Sequence, residues 1–367
     1  MKITTTAEFY SELQKNIPFI DNTKKVNDEK NLLFDAQIIM LFECFLSMSK
    51  RLEPKIVKDL VVDVLRNPNA ENGKVYETLV YSWLEKRGVN FIPQHHIAQE
   101  ECFKASSNGY YADGILKENN IIFDVKQFGL TLPHIETLRR KLQSYIPKEY
   151  YLTISGGRNV SSRDLRTHFL EKAKDIAHCI MSESNSNYTD YICHEKKYGL
   201  EFRAWNIKEH PVFTSISEFD PYEWAENNEY YFMYHSSQFC INSPYILFCP
   251  FDKQLAPVFS SEDDEFAFLS FRALCRRIFM SLLKMENRPI SDFDGKARKN
   301  VSVASAAKKI SAIVFIDVSD DFDYQHCRTF VFQNPNADHN HKIPRYQIDT
   351  LFRYAGAKVD DFRFDNY

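Results

Sequence analysis

Four ionisable residues between positions 77 and 126 have the types and spacing that metal-assisted phosphodiester hydrolysis requires. Glu77 lies in a helical pattern and Asp113 in a strand pattern, whereas Asp124 and Lys126 stand at the end of the apolar run 121–123. Because successive strand residues alternate faces, Asp124 and Lys126 are expected to point to the same side. The sequence therefore predicts an acid and a lysine side by side at a strand end.

Phosphodiester hydrolysis sets specific demands on such a site. Mg²⁺, with Mn²⁺ as the expected substitute, neutralises the non-bridging oxygens and supplies hydroxide at neutral pH. Since Mg²⁺ takes oxygen ligands and only one or two protein carboxylates, we expect Asp113 and Asp124 to bind it, with the Val125 carbonyl as a third ligand. Lys126 would orient the water and balance the charge on the phosphate. Glu77 would close the site as a further metal residue, directly or through a metal-bound water.

The elements that must position these residues alternate between helix and strand patterns beyond Gly73. We interpret them as an α/β fold in which a mixed sheet is flanked by helices. The predicted elements, in order, are helix 74–86, strands 90–94, 110–116 and 120–127, helix 134–145, strand 150–155 and helix 162–181.

At these positions the sequence resembles the PD-(D/E)xK nuclease superfamily, which has the restriction-endonuclease-like fold. The matching segments are the helix acid, the run 109–114 and the run 123–127, and the resemblance covers about residues 70–180. It implies an α-β-β-β-α-β core. One departure is Ala112, where the older motif has a proline. The residues that the resemblance assigns to the catalytic site are Glu77, Asp113, Asp124, Lys126 and Gln127.

An acid-x-lysine pair alone is a weak signal, because it occurs by chance as a solvated strand end. The order of the residues is more specific: a helix acid, an Asp on one strand, and then D-x-K after three apolar residues. The alternative interpretation is a set of surface charges at strand ends. For Glu77, an ordinary solvated helix glutamate is an equally good interpretation.

The rest of the chain is expected to form two further regions. We predict an N-terminal helical segment over 1–66, the nuclease core over 67–185, and a C-terminal α+β domain over 190–367, with a DNA-binding or regulatory role. Helix 31–50 is apolar around much of its circumference, so it is either buried between layers or part of a homodimer interface. The C-terminal elements are predicted as strands 198–206, 229–234, 244–249, 311–318 and 328–333 with helix 265–284.

Basic residues are concentrated in one segment of a chain whose net charge is −4. Residues 272–309 hold ten Lys or Arg and three acids, a local excess that suits a phosphate-backbone track. A solvated basic helix face explains the same charges equally well. The pair His95-His96 is either a DNA contact or an ordinary loop pair. The candidate DNA-binding residues are Arg158, Arg272, Arg276, Arg277, Lys296, Arg298 and Lys299.

Several classes of function lack their sequence signals. Neither a dinucleotide-binding glycine motif nor a P-loop occurs, and no apolar run reaches membrane-spanning length. The eight cysteines are scattered without a C-x-x-C pair, which favours reduced core residues in a cytoplasmic protein over a zinc site. The run 338–341 spells the letters of an HNH nuclease, but a polar loop is the better interpretation.

The sequence thus predicts a Mg²⁺-dependent DNA endonuclease, for which the resemblance implies 5′-phosphate and 3′-hydroxyl products. A role in restriction or anti-phage defence is a family-level expectation, and a homodimer is the expected assembly. One alternative is a catalytically silent nuclease fold that binds nucleic acid. Another is a subunit activated by a sensor or specificity protein, and RNA is the alternative substrate.

Overall fold

The computed structural model divides the chain into two compact units. Unit 1 comprises Met1–Leu130, His235–Glu286 and Val303–Tyr367, and unit 2 comprises Thr131–Tyr234 and Asn287–Ser302. The residues that the structure describes are 3, 5–20, 35–66, 73–103, 109–126, 138–139, 141–156, 169–182, 191–195, 200–206, 221–233, 236–252, 264–290, 301–318, 327–352 and 357–363.

The N-terminal helices of unit 1 form its first layer. They are α1 (Thr6–Asn16), α2 (Asp35–Ser49), α3 (Pro54–Arg66) and α4 (Gly73–Lys86). Their apolar faces share one core with side chains from the sheet of unit 1. Most of the apolar circumference of α2 is buried in this core, as expected for a helix between layers. The predicted helices in 1–66 and over 74–86 are confirmed.

A seven-stranded mixed sheet forms the second layer of unit 1. Its strand order is β1-β2-β3-β7-β8-β9-β10. Pairs β1/β2, β2/β3 and β8/β9 are antiparallel, and pairs β3/β7, β7/β8 and β9/β10 are parallel. The strands of this sheet are β1 (Phe91–Ile97), β2 (Tyr110–Leu116), β3 (Ile121–Val125), β7 (Tyr245–Phe251), β8 (Ala312–Asp317), β9 (Thr329–Gln333) and β10 (Ala357–Asp360).

The parallel neighbour of β3 is therefore β7, more than 100 residues further along the chain. Strand 150–155 was expected to complete the core sheet. Instead β4 (Tyr150–Gly156) pairs with β6 (Leu200–Asn206) in a separate antiparallel sheet of unit 2, together with β5 (Tyr191–Glu195). Burial explains the difference: every residue of β7 is buried, which suits a strand covered on both faces, whereas β4 alternates between buried and exposed.

Unit 2 also contains the helices α5 (Ala173–Ser182) and α6 (Pro221–Met233). The predicted strand 229–234 is wrong, because this segment ends α6. Pro221 stands at the first helical position, where its missing N–H costs nothing. Asn228 donates to the carbonyl of Trp224, one helical turn earlier. The aromatic residues at the end of α6 are typical of a strand in composition, which explains the wrong prediction.

The C-terminal strands β7–β10 belong to the same sheet as β1–β3, so the structure divides the chain differently from the expected segments 67–185 and 190–367. Helix α7 (Asp264–Arg276) continues into a π-helical turn, Arg277–Ser281, and a 3-10 turn, Leu282–Lys284, in agreement with the predicted helix 265–284. Unit 1 also contains α8 (Val303–Ala307), before β8, and α9 (Arg345–Phe352), before β10. Within the described ranges, no helix is long and apolar enough to cross a membrane.

Candidate active site

Strands β2 and β3 bring Asp113 and Asp124 together. Gly114 pairs with Phe123, and a Cβ atom at Gly114 would lie 2.4 Å from the Phe123 ring, so glycine is required for this close approach. At the next position along the strand pair, where Asp113 precedes Gly114 and Asp124 follows Phe123, the Asp113 N–H donates to Oδ1 of Asp124 at 3.0 Å. The Val125 N–H donates to Oδ2 of Asp113 at 2.7 Å. Each carboxylate is thus held by a backbone amide of the opposite strand.

The second oxygen of Asp124 receives two tyrosine hydroxyls. The side chain of Asp124 is fully buried, and the Tyr245 hydroxyl on β7 donates to Oδ2. The Tyr110 hydroxyl lies 3.4 Å from the same oxygen. Burial and the neighbouring Asp124 carboxylate raise the pKa of both tyrosines, so both remain protonated donors.

Lys126 continues the line of β3 beside β7. Its backbone N–H donates to the Phe248 carbonyl at 2.7 Å, which fixes the backbone after the last residue of β3. Its Nζ lies 3.5 Å from Oδ2 of Asp124 and 3.5 Å from Oε1 of Gln238. The prediction that Asp124 and Lys126 point to the same side is confirmed.

Glu77 is buried against the strand pair. Lys74 donates to Oε2 of Glu77, and the amide of Gln94 donates to Oε1 at 2.6 Å. The Tyr81 hydroxyl lies 2.6 Å from Oε1 of Glu77 and 2.5 Å from the Asp113 carbonyl. Lys74 also lies 4.0 Å from Oδ1 of Asp113. The interpretation of Glu77 as a solvated helix glutamate is therefore wrong.

Gln94 adopts a strained backbone conformation within β1. Its φ is +53°, in the left-handed region that non-glycine residues rarely occupy. The residues on either side pair regularly with β2, but the position of Gln94, opposite Asp113, is skipped in the pairing. Such outliers persist only where the surroundings determine them, and they cluster at functional sites. Here the conformation directs the Gln94 amide to Glu77.

The charges of the cluster are not balanced. Burial, Glu77 and Asp124 raise the pKa of Asp113 well above its ordinary value, although Lys126 and Lys74 oppose this effect. Burial would lower the pKa of Lys74, but Glu77 and Asp113 outweigh it and the pKa is raised. Three carboxylates thus face two ammonium groups, and an added cation would relieve the surplus negative charge.

The donor set fits a metal ion that needs few protein ligands. Among the described residues, no group of three or more His, Cys, Asp or Glu side chains is arranged to hold a metal ion. A closed protein cage, as zinc or calcium requires, is therefore not formed there. Mg²⁺ differs, because it keeps several waters and binds through one or two carboxylates. Oδ1 of Asp113 and Oδ2 of Asp124 accept no backbone hydrogen bond and are the oxygens that a cation would use, although Oδ2 of Asp124 also contacts Tyr245, Tyr110 and Lys126.

The candidate DNA-binding residues divide into two groups. Arg272 pairs with Asp360 at 2.5 Å and stacks on the Phe362 ring, so its charge is balanced within unit 1. Arg276 is exposed and Arg277 is half-buried, both at the junction of α7 and the π-helical turn. The other candidate DNA-binding positions lie outside the described residues: Arg158, Lys296, Arg298 and Lys299. The candidate catalytic position Gln127 also lies outside them.

Several residues of the cluster were not identified from the sequence. Lys74 stands three positions before Glu77, a helical ion-pair spacing that could have indicated it. Gln94 and Tyr81 carry no comparable signal. Gln238 and Tyr245 reach the site only through the pairing of β3 with β7.

The run 338–341, expected as a polar loop, forms a 3-10 turn at His339–His341, and His341 is buried with Nε2 2.8 Å from the Cys240 carbonyl.

Comparison of the chain with protein-family models, with curated proteins and with solved structures found no significant match. What the cluster does must therefore be inferred from its own geometry and chemistry.

Proposed function

We propose that the chain is a Mg²⁺-dependent nuclease that hydrolyses DNA phosphodiester bonds at the cluster of Asp113, Asp124 and Lys126. The observation that carries the proposal is the position of the Lys126 ammonium, 3.5 Å from a fully buried aspartate that is itself bonded to a second aspartate. Burying these charges together costs free energy, and packing alone does not require it. Such clusters are typical of functional sites.

In this proposal the two aspartates hold the cation. Backbone amides fix one oxygen of each, so Asp113 and Asp124 are oriented before any ligand arrives. Preorganised groups of this kind do not have to reorganise during the reaction. Mg²⁺, when bound, would supply charge neutralisation of the phosphate and an activated water. The Val125 carbonyl ligand remains a prediction, since the contact described for Val125 in this cluster is made by its N–H.

Lys126 is assigned to the water and the phosphate. Asp124 and Gln238 contact its ammonium from two sides and thereby limit where the side chain can point. Its side chain is 15% exposed, so the ammonium group remains partly open to a ligand. Here it would donate hydrogen bonds to the attacking water and to a phosphate oxygen as negative charge develops.

Glu77 is assigned a supporting role. Lys74, Tyr81 and Gln94 contact both of its oxygens, so Glu77 would act on Asp113 through these neighbours. The direct metal-ligand role of Glu77 stays a prediction.

The order of strands adds support. The PD-(D/E)xK resemblance implies an α-β-β-β-α-β core. Unit 1 has α4, β1, β2 and β3 in this order, β7 is the parallel neighbour of β3, and unit 2 is inserted between β3 and β7. By the same resemblance, the products would be 5′-phosphate and 3′-hydroxyl ends.

The test is cleavage of supercoiled plasmid DNA by the purified protein in Mg²⁺, with EDTA as the metal-free control. Asp124→Ala and Lys126→Ala should each lower the rate by about 10³-fold, since each removes a group that acts on the transition state. Lys117→Ala, at an exposed turn lysine between β2 and β3, is the matched control and should cut normally. Equal cutting by all variants, or cutting in EDTA, would refute the proposal.

A second candidate is a nucleic-acid-binding protein in which the same cluster does not cut. It is favoured by the absence of a three-residue metal group among the described positions and by the Lys74 ammonium, which occupies Glu77. In that case, the plasmid would be retained by the protein without being nicked. A partner-activated nuclease would nick only after a sensor or specificity protein is added. Offering RNA beside DNA in the same assay would test the remaining alternative, in which RNA is the substrate.

A further inference from the structure

An exposed aromatic pair lies on the strand that carries Asp113. Tyr111, two residues before Asp113 on β2, is 60% exposed. His96 on β1 is its direct cross-strand partner, and the two ring centroids are 4.8 Å apart at 61°. Both side chains are large, exposed and next to the candidate active site. Core packing does not explain them.

The local backbone is adapted to hold this pair in place. Gly109 has φ +74°, and a Cβ atom there would lie 2.9 Å from Nε2 of His96 and 2.4 Å from the Ile97 carbonyl. Only glycine therefore leaves room for the imidazole beside the Tyr111 ring. The edge-to-face contact with His96 limits the orientations that the Tyr111 ring can adopt, while most of its surface remains open to solvent.

Strand β2 places the ring two residues from the Asp113 carboxylate. Along this strand Ala112 and Gly114 are buried, whereas Tyr111 is exposed and Asp113 is partly exposed. Two residues of a strand span about 7 Å. A nucleotide whose phosphate is held at Asp113 would thus have its base within reach of the Tyr111 ring.

Base pairing decides which substrates can use this ring. In a duplex, both faces of a base are covered by its stacked neighbours, so the base has no free face for a side chain. In a single strand or at a frayed end, a base can stack on an aromatic side chain, which is sequence-tolerant because every base has a π-face.

We propose that Tyr111, supported by His96, is a stacking platform for an unpaired base next to the scissile phosphate. The preferred substrate is then DNA with a single-stranded segment at the cleavage site. This inference rests on the proposed function, because it takes the phosphate at Asp113 as its reference point. It adds the class of substrate, which the carboxylates and Lys126 do not determine.

The test measures binding without cleavage. Fluorescence anisotropy in EDTA would compare a labelled thymidine homopolymer of about 20 nucleotides, longer than a typical single-strand site, with a duplex of the same length. Tyr111→Ala should weaken single-strand binding by about tenfold, which is the range for one lost base stack. Duplex binding should change by less than about twofold, because the duplex makes no such stack. Tyr111→Phe keeps the ring and should bind like the wild type.

A matched control is Tyr346→Ala, which removes an equally exposed tyrosine from α9 of the same unit. It should leave both affinities unchanged. Equal losses for single strand and duplex, equal losses for Phe and Ala at position 111, or a wild-type protein that does not bind the single strand would each overturn the stacking proposal.

Cleavage in Mg²⁺ then separates this inference from the proposed function. If Tyr111→Ala loses single-strand affinity but the wild type cuts neither DNA, the platform is supported and the nuclease is refuted. If the wild type cuts both DNAs and Tyr111→Ala cuts them equally well, the nuclease is supported and the platform is refuted. Loss of single-strand cutting alone supports both.

Discussion

Among the described residues of unit 1, two aspartates are fully buried, and their surroundings differ. Asp124, on β3, and Asp252, just after β7, each accept a hydrogen bond from a tyrosine hydroxyl, that of Tyr245 or of Tyr76. Around Asp124, further contacts are the Tyr110 hydroxyl, the backbone N–H of Asp113 and the Lys126 ammonium, and the side chains of Asp113 and Lys126 are 16% and 15% exposed. Around Asp252, a further contact is the neutral, buried amide of Gln37 at 3.2 Å.

The comparison shows that burial and a tyrosine partner do not by themselves indicate a reactive carboxylate. Gln37 also donates to the Val318 carbonyl at 2.7 Å, so the Asp252 group links α2 and α4 to the ends of β7 and β8. Its contacts are those of a structural bond in the core. The Asp124 group differs in having several ionisable neighbours and an opening to solvent, which are the properties that ligand binding needs.

The largest expected difference is in cleavage. Asp113→Asn should reduce plasmid nicking by about 10³-fold, because it removes a carboxylate that would hold the cation at the reacting phosphate. Asp252→Asn should leave the rate per folded molecule within about twofold of the wild type, since its hydrogen bonds with Tyr76 and Gln37 lie outside the cluster. Nicking rates would be normalised to the folded fraction from circular dichroism. Similar losses in both variants would remove the distinction between the two aspartates.

For stability, the expected effects are reversed: the larger loss is at Asp252, not at Asp113. Asp252→Ala should lower the free energy of unfolding by about 3 kcal/mol, because the Tyr76 hydroxyl and Gln37 amide lose a buried acceptor. Asp113→Asn should raise it by about 1 kcal/mol, as is common when a destabilising functional charge is removed. Urea denaturation at pH 7 in EDTA would measure both.

The pH dependence provides the control for this stability prediction. Because the folded-state pKa of Asp113 is raised, the native state binds its proton more tightly than the unfolded chain does. The cost of ionised Asp113 is therefore fully present at pH values above the folded pKa and is lost as the pH falls toward the ordinary aspartate value of about 3.9. The advantage of Asp113→Asn should shrink over that interval. If the stability advantage of Asp113→Asn over the wild type grew on acidification, the predicted direction of the pH dependence would be wrong.

A smaller effect is expected at Gln94, where the cluster stores backbone strain. Gln94→Gly relieves the positive φ and should stabilise the protein by about 1 kcal/mol, while the loss of the amide on Glu77 slows cleavage by about tenfold. Gln94→Asn tolerates the same φ but has a shorter amide. It should remain close to wild-type stability and cut slowly. If Gln94→Gly is less stable than the wild type, the strain interpretation fails.

Local patterns were sufficient to locate the centre of the candidate site. Side chains two apart on a strand share a face, so the contact of Asp124 with Lys126 follows from their spacing alone. The apolar face of α4 likewise placed its helix next to the strands. Neither inference needs information from outside the segment 73–126, which is why both agree with the structure.

The remainder depends on long-range pairing that no local pattern determines. The apolar run of β7 would fit any buried strand, so its position beside β3 is not visible in the sequence. The same ambiguity let β4 appear to be the next strand of the core. The left-handed conformation of Gln94 results from the contacts that surround it, and a glutamine in a strand pattern does not predict it.

The insertion of unit 2 between β3 and β7 has a consequence for biosynthesis. Tyr245 follows Asp124 by 121 residues, which a ribosome takes roughly 6–24 s to add. Until then, the newly made β3 has an unpaired edge, and Asp124 lacks both the Tyr245 hydroxyl and the strand that anchors Lys126. The cluster is therefore assembled late in translation, and an incomplete chain that ends within unit 2 should be inactive.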